Sequence, residues 1–288
     1  MRVRFVLGIA CLILFGGGLP AAEGDFDSNG VKIHYYVEGK GEPVLLVHGF
    51  AANTQFNWVL PGVLKNLAKD YQVIAIDNRG HGRSGKPHEP EKYGREMAED
   101  IVRLMDHLKI KKAHVVGYSM GAMIVNKLIV THPERFLSAT LGGGAAKKQA
   151  GDDQFIQDLT KSLDEGKGIA PVLLALTPIG YPKPSPEDVQ VRSKLLMLSN
   201  DAKALGALVR RWKDLAVTDD ELKACKVPTL GLVGSIDPLR TRLEALQGKM
   251  PDFRLILIDG ADHMDAMARP EFVNNLRTFL AEHSAIRK

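Results

Sequence analysis

Short, nearly continuous apolar runs rich in β-branched residues alternate along the chain with longer stretches of helical periodicity. The runs at 31–37, 43–47, 72–76, 113–116, 138–141, 228–233 and 254–258 predict strands, and their continuity fits strands covered on both faces. Stretches at 97–108, 120–131 and 271–282 predict helices. This alternation predicts βαβ units and a mostly parallel sheet. The turn sequence Asp27-Ser28-Asn29-Gly30 predicts an antiparallel start. From 145 to 226 the alternation stops. That region carries helical patterns at 169–176, 189–198 and 202–212. It also contains Tyr181-Pro182-Lys183-Pro184-Ser185-Pro186, expected to stay outside regular helix and central strand. The pattern predicts a helical insertion between two sheet strands.

The first 22 residues stand apart. Arg2 and Arg4 are their only charges, residues 5–15 form an apolar run, and the segment ends in Gly16-Gly17-Gly18-Leu19-Pro20-Ala21-Ala22. This is the pattern of a secretory signal peptide. The run is shorter than the roughly 20 apolar residues of a membrane-spanning helix. Residues 1–22 are therefore expected to direct export to the periplasm or exterior and then be removed, leaving 23–288 without a stable membrane span. An uncleaved N-terminal anchor is the alternative, because Leu19 or Pro20 falls at the −3 position of the two candidate cleavage points. Cys11 reads as a hydrophobic residue of the signal.

Composition adds bounds rather than a picture. With 288 residues, 45% hydrophobic and 25% charged, the chain is an ordinary globular protein, one large domain or a domain with an insertion. Two cysteines exclude a disulfide scaffold and a multi-cysteine metal site. Removing the signal would leave Cys225, expected to be packed. It would also remove two of the four net positive charges. That weak charge, without a dense basic patch, points away from nucleic acid.

The chemistry is concentrated in five short segments. Gly117-Tyr118-Ser119-Met120-Gly121 joins a predicted strand to a predicted helix. Gly-x-Ser-x-Gly there forces a sharp turn that exposes a serine hydroxyl above a helix N-terminus. Gly117 and Gly121 leave room where a side chain would collide. A serine nucleophile needs a base, and the expected order is Ser, then Asp or Glu, then His. Asp237 and His263 fit, each just past a predicted strand and so on the sheet edge where Ser119 lies. His263 would take the Ser119 proton and Asp237 would hold its tautomer. Asp259, Asp262 and Asp265 are too close in sequence to His263 to face its ring easily. The strand ending in His48-Gly49-Phe50 can supply an oxyanion hole from the Phe50 N–H, with the Met120 N–H as second donor. Gly49 permits close backbone approach, and His48 is expected to brace the loop rather than move protons.

Together with Asp77-Asn78-Arg79-Gly80-His81-Gly82-Arg83-Ser84, these segments resemble the α/β-hydrolase fold superfamily, in its single-domain branch of serine hydrolases with a helical lid. The resemblance runs from about Phe26 to the C-terminus and is weakest over 145–226. It implies an eight-stranded, mostly parallel sheet flanked by helices, with the second strand antiparallel. It also implies catalysis without metal or organic cofactor, and a structural role for the Asp77–Ser84 loop, including His81 and Arg83. Ser119 stands where the dehalogenase-like and epoxide hydrolase-like branches carry aspartate, which points to an acyl-enzyme. Ala122 follows the elbow where many relatives have a second glycine. The single-glycine loop ending in Phe50 resembles esterases and lipases of ordinary alcohols.

The expected substrate is a small molecule, a short- to medium-chain carboxylic ester. Phe155, Ile156, Leu173, Leu174, Leu196, Met197 and Trp212 are the apolar candidates of the lid; most are expected to pack on the core and the rest to line an acyl pocket. No basic cluster stands out as a carboxylate clamp, Arg210-Arg211 being the nearest. The alternatives are a C–C (meta-cleavage product) hydrolase, for which Arg211-Trp212 leaves room, a cofactor-free perhydrolase, and a non-catalytic ligand-binding protein.

Overall fold

The computed structural model describes residues 22–285. The predicted signal segment, Ala22 apart, lies outside the described residues, as does Cys11. The first strand, β1 (Ala22–Asp27), has no counterpart among the predicted runs. It is a polar edge strand with one buried side chain, Phe26, held by antiparallel register on its neighbour from Ala22 against Val37 to Asp27 against Lys32. The seven predicted strands all form close to their predicted bounds. They are β2 (Lys32–Glu38), β3 (Glu42–Val47), β4 (Tyr71–Ile76), β5 (Ala113–Tyr118), β6 (Phe136–Gly142), β7 (Thr229–Gly234) and β8 (Phe253–Ile258). The sheet order is β1-β2-β4-β3-β5-β6-β7-β8. β2 is antiparallel to both neighbours, and every pairing from β4 to β8 is parallel.

Helices α1 (Val63–Leu67), α2 (Arg95–His107) and α3 (Met120–Thr131) follow β3, β4 and β5. Between β6 and β7 come α4 (Asp152–Asp164), α5 (Ala170–Ala175), α6 (Pro186–Met197), α7 (Ala202–Arg210) and α8 (Asp219–Ala224). Among the described residues, the only strand-like feature there is one bridge between Lys147 and Val217. The proline-rich stretch yields its last residue to helix: Pro186 opens α6, where its missing N–H costs nothing. α9 (Arg240–Glu244) and α10 (Pro270–Glu282) complete the chain.

Pleating divides the sheet between two cores. Leu45 and Val47 of β3 pack with α2 and α3, whereas Val44 and Leu46 pack with α1 and α10. Each such buried aliphatic contributes about 1.5–3 kcal/mol. Leu159 and Leu163 of α4 and Leu205 and Leu208 of α7 join the first core, so the helical segment is seated on the α2–α3 side. Cys225 is buried, with its Sγ 3.5 Å from the Ile129 carbonyl oxygen, and burial pushes its thiol pKa up. No described helix is long and apolar enough to cross a membrane.

Candidate active site

β5 passes into α3 through one residue. Ser119 holds φ 56° and ψ −117°, a region that non-glycine residues rarely occupy. Steric room dictates its flanks. A Cβ on Gly117 would lie 2.2 Å from the Gly121 carbonyl oxygen, and one on Gly121 would lie 2.0 Å from that of Val47. The Ser119 N–H donates to the Gly142 carbonyl at 2.7 Å, fixing the turn against β6. Ala122 is fully buried in α3. The Met120 N–H is the first of α3, one of the donors that a helix start leaves without an intrahelical acceptor.

The loops beyond β7 and β8 meet beside this turn. Asp237 Oδ2 lies 2.8 Å from His263 Nδ1, and both side chains are buried. Asp237 Oδ1 accepts the Leu239 N–H at 2.8 Å. The Ile236 N–H donates to the Ala261 carbonyl at 3.1 Å, and the Gly260 N–H to Ser235 Oγ at 2.9 Å. Asp262 and Asp265 hydrogen-bond within their own turn, and Asp265 also pairs with Arg269. Ser119, His263, Phe50 and Met120 line one cavity of about 340 Å³.

Tyr118 escaped the sequence reading. Its hydroxyl donates to the His263 carbonyl at 2.7 Å, and its ring centroid lies 5.3 Å from the imidazole. Burial, reinforced by Asp237, raises its pKa well above the ordinary value, so it stays a donor. The signal was its place one residue before Ser119.

The loop after β3 is held peptide by peptide. Asn78 Nδ2 donates to the His48 carbonyl at 2.9 Å, and Asn57 Oδ1 accepts the Gly49 N–H at 2.7 Å. Asn57 stands in a π-helical turn, Gln55–Val59, that no pattern announced. His48 Nε2 accepts the Asn78 N–H at 2.9 Å, so Nδ1 carries the proton and donates to the Gly49 carbonyl at 2.8 Å. Gly49 C=O and Phe50 N–H share one trans peptide plane and point in opposite directions. His48 thereby sets the direction of the Phe50 N–H. His81 Nε2 accepts the Ala51 N–H at 3.1 Å, and its Nδ1 faces the Arg79 carbonyl at 3.2 Å. Burial lowers the His48 pKa; burial and neighbouring His48 push that of His81 down to about 3. Both imidazoles are neutral at neutral pH. Asp77 braces the loops further: its Oδ1 accepts the Thr54 N–H and its Oδ2 the Arg83 N–H, both at 2.9 Å.

The helical segment forms the opposite wall. Phe155, Ile156, Leu173, Leu196 and Trp212 line the cavity, and Trp212 packs on Phe50 with ring centroids 5.1 Å apart. Leu174 and Met197 are not among the lining residues; Leu174 is 39% exposed and Met197 packs at Gly168. Arg211 does not line the cavity either and pairs with Asp214 at 2.6 Å, while Arg210 pairs with Asp164. Basic groups reach the cavity from elsewhere: Lys147, Lys148, Lys213 and, from α9, Arg242. Lys147 and Lys148 are neighbours, but Lys213 and Arg242 stand far from them in sequence, which hid the grouping. Arg242 is paired with Asp152, Lys147 with Asp219, and Lys148 with Asp153. Among the described residues, no three His, Cys, Asp or Glu side chains are grouped to hold a metal ion.

A family model described as the alpha/beta hydrolase fold matches residues 42–171. The 3-oxoadipate enol-lactonase 2 of Acinetobacter baylyi is 31% identical over 73% of this chain and 78% of its own. The dihydrolipoyllysine-residue acetyltransferase component of the acetoin cleaving system of Pseudomonas putida is 28% identical over 84% of this chain. The match spans 64% of that relative's length, and only 40% of its Cupriavidus necator counterpart. Among solved structures, a thermophilic esterase from Thermogutta terrifontis superposes with a TM-score of 0.74 at 24% identity, covering 92% of this chain and 100% of its own. The sheet order, the Ser119 turn and these matches agree: the chain belongs to the α/β-hydrolase fold family.

Proposed function

We propose that this protein is a serine hydrolase that cleaves carboxylic esters through an acyl-enzyme. The observation that carries this reading is the 2.8 Å contact between Asp237 and His263, on the cavity that Ser119 enters in a strained turn. Ser119 Oγ attacks the ester carbonyl while His263 Nε2 takes its proton. The N–H groups of Phe50 and Met120 hold the developing oxyanion. Asp237 keeps the Nδ1 proton of His263 in place and stabilises the imidazolium. His263 then protonates the leaving alcohol. Water, deprotonated by His263, attacks the acyl-serine; the acid leaves and Ser119 regains its proton. Gly117, Gly121, Gly49 and His48 hold this frame. The helical segment 145–226 serves as the lid, and its apolar wall suits the carbon chain of a short- to medium-chain ester. The reaction needs no cofactor. Residues 1–22 would direct export, so the N-terminal sequence of the exported protein should start near Glu23.

Ser119→Ala is expected to lower turnover of a p-nitrophenyl ester by about 10³-fold or more with the circular dichroism spectrum unchanged. Asp237→Asn should lose about 10⁴-fold through the wrong histidine tautomer. A fluorophosphonate should add its phosphonyl group to Ser119, read by mass spectrometry. Ester turnover persisting in Ser119→Ala overturns the reading. A vinylogous diketo acid and a peracid assay in acetate, run alongside, separate ester chemistry from C–C cleavage and perhydrolysis.

A further inference from the structure

Four successive peptide groups after β3 are each held by a side chain. The first three are held from the sheet side, by Asn78 and Asn57, His48, and His81. The fourth, between Ala51 and Ala52, is held from the helical segment. Asn200 Nδ2 donates to the Ala51 carbonyl at 3.1 Å and to the Leu196 carbonyl, at the end of α6, at 2.8 Å. The next residue, Asp201, caps α7 by accepting the N–H groups of Lys203 and Ala204, and its other oxygen lies 3.0 Å from His88 Nε2. This corner is thus tied to its own two helices and to the core.

Ala51 holds φ 52°, a left-handed conformation that a residue with a Cβ keeps only when its surroundings impose it. His81 fixes its N–H and Asn200 its carbonyl. With the second tie gone, Ala51 is free to relax toward ordinary backbone, and the adjoining Phe50 peptide turns with it. An oxyanion donor acts through its aim at the developing charge, so a small rotation there is felt in the chemical step.

We propose that Asn200 is a positioning residue that makes the aim of the Phe50 N–H depend on the seating of the helical segment. The kinetic half of this proposal rests on the ester-hydrolase reading; the structural half does not. Asn200→Ala removes the donor, and Asn200→Asp keeps the shape but sets a carboxylate against two carbonyl oxygens. In the full chain, kcat for a p-nitrophenyl ester should fall about tenfold in Asn200→Ala and further in Asn200→Asp. KM should stay within about twofold, because Asn200 is not a lining residue of the cavity. Without substrate, the amide of Ala51, which His81 holds, should exchange with deuterium about tenfold faster in both variants. Unchanged exchange in both variants overturns the proposal, whatever the activity. So does faster exchange with unchanged kcat, or a raised KM with kcat retained. A purely structural role would lower the melting temperature and leave kcat and loop exchange alone. If the wild type hydrolyses no ester, the functional reading fails, and the exchange experiment still decides whether Asn200 ties the loop.

Discussion

His48 and His81 carry no charge at neutral pH and need none, because each uses one nitrogen as donor and the other as acceptor for backbone. That arrangement has a stability consequence. The folded-state pKa of His81 lies at about 3, against an ordinary 6.5. Above pH 6.5 the imidazole is neutral in both folded and unfolded chains. Below it the unfolded chain binds a proton that the folded site refuses. Stability should therefore fall by about 1.4 kcal/mol per pH unit on this account, from about pH 6.5 down toward 3. His81→Gln, which keeps an acceptor for the Ala51 N–H, should lose less stability than wild type between pH 6.5 and 4.5 in urea titrations. Equal pH slopes would contradict it. At this scale the sequence was legible wherever a short motif named its own chemistry. The turn at Ser119 and the nearness of Asp237 to His263 were legible because chain order and place after strands carry that information. Asn57 and Asn200 did not, because an asparagine that bonds backbone in a distant segment leaves no local trace.

Elements were legible to the degree that both faces of a strand were buried. β3 to β7 read as apolar runs because two cores claim alternate side chains. β1 was missed because its alternation is mostly polar and its neighbour, rather than its own composition, holds it. In the helical segment, helices were visible but not their mutual packing, so the sequence could not separate the apolar residues that line the cavity from Leu174 and Met197, which do not. The strand-to-helix turn is the element with least tolerance. Gly121 lies under the Val47 carbonyl with no space for one further carbon. Gly121→Ala should displace β3 against α3 and cost about 1–3 kcal/mol of stability. It should also lower turnover, since β3 carries the loop that ends in Phe50. A denaturant midpoint equal to wild type would show that the backbone yields without cost.

The cavity belongs to neither layer alone. Its floor is the C-terminal edge of the sheet and its far wall is the helical segment, joined at one end by Arg242 of α9 and Asp152 of α4. Losing one partner leaves the other charge half-buried and unpaired. Arg242→Leu should therefore loosen that wall. Limited proteolysis should cut within 145–226 several times faster than in wild type, with the core fragments surviving. Unaltered cleavage would place the strength of the joint in the apolar contacts instead. The loop after β3 shows what such shared construction means for change over time. Its supports come from Asn57, Asn78, His81 and Asn200, scattered over a span of about half the chain. A substitution at any one is judged against the other three, so their effects should not add. Retuning this loop by transplanting it into a relative means moving its distant supports as well, and variation at these positions should be inherited as a set.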